Sequence, residues 1–199
     1  MGLWQMILHM LSIWCVAGMV FWVCDIVPKK IPRGTRWILI VVFGVLSVYI
    51  LEMAPVLKTE PIRIHAVIAL TASIAFNPLV GIGAGILCGM AFMLFHGFLA
   101  YPAEVYMPLI AALIGMVIWI CGKAWPNCRF IRFGVLRPEW GFALGLLTEA
   151  LYIYLAYQYY PGAPEAAAEI TWITAIPTAL SGAVATYLCL YVYHDRQLE

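Results

Sequence analysis

Long apolar runs divided by short polar gaps constrain this chain more than any other feature. They cover about residues 3–27, 37–57, 61–76, 79–99, 104–122, 139–160 and 168–193. A helix crosses a bilayer core with roughly 20 mostly apolar residues, and most of these runs reach that length. Hydrophobic residues make up 65% of the chain and charged residues 11%, against about 25% charged in a soluble domain. The expectation is an all-α integral membrane protein forming one membrane domain over residues 1–199, with no soluble domain. Its fold would be a compact bundle of six or seven transmembrane helices, some short or broken at Asn77-Pro78. The first run has no Lys or Arg before it and extends from Leu3 to Val27. That is too long for a signal-peptide core, so it reads as a retained helix. The net charge of +1, without a long basic run, excludes nucleic acid as an expected partner.

Charge placement orients the bundle. Lys29, Lys30, Arg33 and Arg36 fall between the first two runs, Lys123, Arg129, Arg132 and Arg137 between the fifth and sixth, and Arg196 in the tail. Seven crossings put all nine on one side and leave Lys58 and Arg63 on the other. Positive charge marks the cytoplasmic face, so the N-terminus is expected outside and the C-terminus in the cytoplasm of a bacterial inner membrane. The same count favours the third and fourth runs as separate crossings, with a broken helix or re-entrant hairpin as the alternatives.

No nucleophile paired with a base, phosphate-binding loop, dinucleotide fingerprint or paired-carboxylate spacing is present, so no enzyme activity and no cofactor are expected. The six cysteines show no metal-ligand spacing and read as small packing residues.

Small residues and rare charges supply the remaining signals. Gly81, Gly85 and Gly89 recur every four residues, as do Ala175, Ala179 and Ala183 on the last run. Such stripes let a neighbouring backbone approach closely, within the bundle or across a dimer. Asn77-Pro78 disfavours helix before the proline and removes an amide donor. It reads either as a tight turn or as a broken-helix pocket with Asn77 in it. Glu149 lies mid-run, where an ionisable group must pair internally or serve a ligand or proton site. Arg63 heads the third run, where it can snorkel to the surface or hold an anion through its bidentate fork. His65 does not share its helical face and is secondary. His9 and His96 read as isolated polar positions.

From Val42 to Arg196 the chain resembles the membrane domain of LytS-type sensor proteins, the five-transmembrane receptor family. The resemblance is carried by Pro61-Ile-Arg63, the apolar stretch Ala66–Ala75, and the sequence from Asn77-Pro78 through Gly81 and Gly85 to Gly89. Thr148-Glu149 and the final run around Ile176-Pro177 also fit. The chain departs from the family where Pro61 replaces an asparagine, where Phe76 and Asn77 replace paired glycines, and where a family arginine falls near Phe92. The residues that carry over are Arg63, Pro78, Gly81, Gly85, Gly89 and Glu149. The resemblance implies the input domain of a histidine-kinase or two-component system. Some members of the family respond to pyruvate and some regulate cell-wall hydrolysis.

The resulting expectation is a membrane sensory or receptor domain that recognises a small ligand, a carboxylate, through Arg63, Asn77 and Glu149. Its partners would be the lipid bilayer and either a separate cytoplasmic signalling protein or a second copy. The chain ends six residues after Tyr193, which implies either a longer sensor cut short or a stand-alone domain. The alternatives are a substrate-binding subunit of an energy-coupling vitamin or micronutrient importer, for which the bulky Trp14 makes a poor docking stripe, and an assembly subunit without a ligand. A reporter fused after Glu199 should score cytoplasmic, and a periplasmic signal would break the seven-crossing arrangement.

Overall fold

A computed structural model of the chain describes residues 33–56, 64–97, 102–124, 138–159 and 175–184, together with Leu11, Trp14 and Gly18. The helices are α1 (Arg33–Val56), α2 (Ile64–Ala75), α3 (Pro78–His96), α4 (Pro102–Ala124), α5 (Pro138–Tyr159) and α6 (Ala175–Val184). No strand occurs among the described residues. Three spans, Arg33–Glu52, Pro78–His96 and Ala103–Cys121, are long and apolar enough to cross a membrane. The 12 residues of α2 rise about 18 Å, short of the roughly 30 Å hydrocarbon core. The first run lies outside the described residues except for helical Leu11, Trp14 and Gly18, and Trp14 Nε1 donates to Ser181 Oγ on α6 at 3.3 Å.

Pairwise contacts give the direction of each helix. Phe43 stacks on Phe76 and Ser47 reaches the His65 carbonyl, so α1 and α2 are antiparallel. Gly81 abuts Ser73 and Ala69, folding α3 back along α2. Gly85 meets Pro108 and Gly89 meets Val105, which makes α3 and α4 antiparallel. Gly145 faces Thr178 while Gly182 faces Gly141, so α5 and α6 also oppose each other. The third and fourth runs are therefore two helices joined by a hairpin. One end of the bundle, the basic end, carries Arg33, Arg36, Asn77 and Lys123. The other carries Glu52, His65, His96 and Glu104.

The hairpin follows from Asn77-Pro78. Pro78 occupies the first turn of α3, where its missing N–H is not needed. Asn77 is the N-cap, with extended backbone (φ −170°, ψ 143°), and its Oδ1 accepts from Leu79 N at 2.9 Å. This satisfies one of the open amides at the helix start. The other end of α3 stops at Gly97, whose φ of 80° suits glycine and whose N–H donates to Met93 O at 2.9 Å.

Burial is arranged for a lipid solvent. Trp37, Ile38, Val41 and Val45 share an exposed face of α1, and Leu79, Ile86, Met90 and Leu94 an exposed face of α3. The interior holds glycine, alanine and hydroxyl side chains. Ser73 Oγ donates to Ala112 O at 2.9 Å between α2 and α4, and Thr71 Oγ1 donates to Val67 O at 2.9 Å within α2. Larger buried side chains, Phe43, Ile50, Ile68, Leu70 and Met107, fill the gaps.

At Gly85 an added Cβ would lie 2.8 Å from the Pro108 carbonyl oxygen, and at Gly89 2.6 Å from that of Val105. Backbone cannot yield as a flexible side chain does. Gly85→Leu should therefore separate α3 from α4 and lower stability by about 1–3 kcal/mol or more, measured as thermal melting in detergent. Leu94→Ala, on the exposed face, should leave melting unchanged. Equal melting of Gly85→Leu and the wild type would mean that this stripe does not face α4.

Candidate functional site

Two of the three candidate ligand residues, Asn77 and Glu149, occupy different parts of the bundle. Arg63 lies outside the described residues, directly before Ile64 in the chain. Asn77, at the basic end, uses its side-chain oxygen to cap α3. Glu149 lies on α5 and is 2% exposed. Its neighbour Thr148 shares a small apolar gap with Val67, Leu70 and Thr71. Asn77 is six residues beyond Thr71, about 9 Å further along that axis.

The sequence explains how Glu149 is held. Gly141, Gly145 and Gly182 bring α5 and α6 together, and an added Cβ at Gly145 would sit 2.6 Å from Thr178 O. Across this contact Thr178 Oγ1 donates to Glu149 Oε2 at 3.1 Å. Thr148 Oγ1 turns back to Leu144 O at 2.8 Å. Ala175 and Ala179 are buried beside Thr178. Glu149 thus clasps α5 to α6 through a hydrogen bond shielded from solvent.

A second polar group forms at the end opposite Arg33. His65, one residue into α2, is 0% exposed. Its Nε2 lies 3.4 Å from Glu104 Oε2 on α4, and neither ring nitrogen has a hydrogen-bond partner among the described residues. Buried imidazole nitrogens normally find partners, so this open ring is an exception among the described residues. Pro108, inside α4, supplies no N–H to the carbonyl of Glu104 one turn back. Nearer the surface, His96 Nε2 and Glu52 Oε1 are 2.8 Å apart with about a third of each side chain exposed. The Phe92 ring packs on His96 at 4.6 Å. In its solvent exposure this outer pair resembles a weak surface ion pair, whereas His65–Glu104 is sealed from solvent.

The sequence signals made His65 secondary and did not single out Glu104. The signal that could have joined them is register. Both fall in the first turn of an apolar helix, and two such helices separated by one antiparallel helix run parallel, so their first turns are level. Among the described residues no cluster of three or more metal-ligating side chains occurs.

The family model described as the 5TMR of 5TMR-LYT matches residues 20–196. The chain belongs to the 5TMR-LYT family. All six described helices lie inside the match. The 5TMR-LYT domain is a membrane sensory domain of sensor histidine kinases, which makes this chain a multi-pass membrane protein with a signal-transduction role. Neither the curated proteins nor the solved structures yield a match.

If the Glu149–Thr178 hydrogen bond ties α5 to α6, Thr178→Val should lower stability by about 0.6–1.7 kcal/mol, the range of interhelical hydrogen bonds in membranes. Thr178→Ser, which keeps the donor, should recover most of it. Thermal unfolding in detergent measures both. Identical losses for Val and Ser would assign the effect to packing rather than to the hydrogen bond.

Proposed function

We propose that this 5TMR-LYT domain senses a small anion, a carboxylate, at the bundle end formed by the first turns of α2 and α4. The observation that carries the reading is the buried His65–Glu104 pair, with both imidazole nitrogens open among the described residues, placed two residues after Arg63. A guanidinium there can grip a carboxylate through two parallel hydrogen bonds. The imidazole can add a donor. The positive-charge count supports placing this end outside a bacterial inner membrane, facing the periplasm. The signal would pass to a cytoplasmic histidine-kinase module.

A route through the bundle is available. His65 and Glu104 are on helices whose facing surfaces meet at Gly115 and Ser73. The cluster of Ala66, Leu70, Met107 and Ala111 packs against Leu144, Leu151 and Tyr152 of α5. The Glu149–Thr178 clasp continues that contact to α6. A ligand that shifts α2 against α4 therefore shifts the seat of α5, provided it binds the two arrangements with different affinity.

The test is a thermal-shift screen of the purified protein with pyruvate, acetate and succinate against chloride at equal ionic strength, followed by calorimetry with whichever stabilises. Arg63→Lys should weaken the carboxylate about tenfold or more, because an ammonium cannot reproduce the bidentate fork. His65→Phe should weaken it less. If Arg63→Lys is silent, Arg63 merely snorkels and the carboxylate reading fails.

A further inference from the structure

At the basic end, away from the proposed sensing site, the first halves of α1 and α3 enclose an open groove of about 720 Å³. Its floor is Ile40 and Gly83, in contact with each other, and its walls include Trp37, Leu79 and Ile86. Arg33 and Arg36 line its mouth. Arg33 is exposed and Arg36 half-buried. Arg36 Nε is shut away from solvent without a hydrogen-bond partner among the described residues.

We infer that this groove holds one anionic phospholipid, its phosphate between Arg33 and Arg36 and an acyl chain laid along Ile40, Leu79 and Ile86. Four observations converge on that occupant. The apolar floor runs from Arg33 to Val41 on one helix and from Leu79 to Leu87 on the other, about 12 Å of helix axis, which suits an alkyl chain and not a free anion. Trp37, 70% exposed, sits one turn inside Arg33 and directly after Arg36, where interfacial tryptophans mark the headgroup level. Both α1 and α3 begin at this end, so their N-terminal amides add to the positive field. A zwitterionic lipid would bring its own cation against the two guanidiniums. Trp14, in the chain's first run, donates to Ser181 of α6 and not to this groove.

The chemistry distinguishes a built site from a generally positive surface. Each basic residue near an anionic leaflet contributes a roughly fivefold preference through charge alone. A half-buried arginine gripping phosphate also supplies a directed fork that lysine lacks.

Native mass spectrometry of the purified protein, titrated with dioleoylphosphatidylglycerol or dioleoylphosphatidylcholine, tests the site. Phosphatidylglycerol should be retained preferentially, and Arg33→Gln with Arg36→Gln should cut that preference by about fivefold per arginine. Arg36→Lys should lose part of it despite the retained charge. Ile86→Trp, on an exposed face where folding is unaffected, should fill the groove and release the lipid while melting in phosphatidylcholine stays unchanged. Equal retention of the two lipids, Arg36→Lys indistinguishable from wild type, or retention surviving Ile86→Trp would each overturn the site. Stabilisation by inorganic phosphate equal to that by phosphatidylglycerol would overturn the lipid in favour of a free anion.

Discussion

In a solvent as apolar as their own side chains, α3 and α4 gain nothing by hiding leucine from water. What holds them is the seating of Gly85 and Gly89 on the carbonyls of Pro108 and Val105, where close backbone approach multiplies dispersion contacts. The same device recurs where Gly81 meets Ser73, where Gly115 meets Leu70, and where Gly145 and Gly182 join α5 to α6. Two interhelical hydrogen bonds depend on it. Thr178 reaches Glu149 because no side chain intervenes at Gly145, and Ser73 reaches Ala112 O because Gly115 lets α4 settle onto α2.

This packing leaves large apolar side chains on the outside and admits polar ones to a largely apolar interior. Isoleucine and tryptophan face outward on α1 while serine, threonine, histidine and glutamate lie inside. Hydroxyls that bond to their own or a neighbouring helix backbone add little cost. An imidazole and a carboxylate 3.4 Å apart add more, because ionisable groups are costly to bury away from water. A fold that tolerates such a pair at one end and a half-buried guanidinium at the other concentrates its electrostatic tension at its two ends. Those are the places where the proposed soluble anion and lipid headgroup would arrive.

Much of the architecture was legible along the chain. The runs at 37–57, 79–99 and 104–122 correspond to α1, α3 and α4 within a few residues, because a helix that must satisfy its own backbone in lipid announces itself by length and hydropathy. α1 starts earlier than its apolar run, at Arg33, since the interface permits a charged first turn. The Asn77-Pro78 signal left a turn and a pocket both open, and Asn77 Oδ1 bonding Leu79 N shows the turn. The site was less legible. Glu149 was visible because a carboxylate mid-run is rare, but its partner Thr178 is an ordinary threonine 29 residues away. His65 and Glu104 look unrelated until α2 and α4 lie side by side.

Taken alone, the sequence determined that the chain is helical, lies in a membrane, breaks its helical pattern at Asn77-Pro78 and carries small-residue stripes. Each of these follows from local composition, which a one-dimensional string records. The tertiary structure decided which glycine meets which carbonyl, that α2 and α4 run parallel with their first turns level, and that Arg33 and Arg36 stand at the mouth of an apolar groove. Those outcomes depend on relative register between helices far apart in the chain. Register is set by the summed shape of two surfaces, which no single run of residues contains.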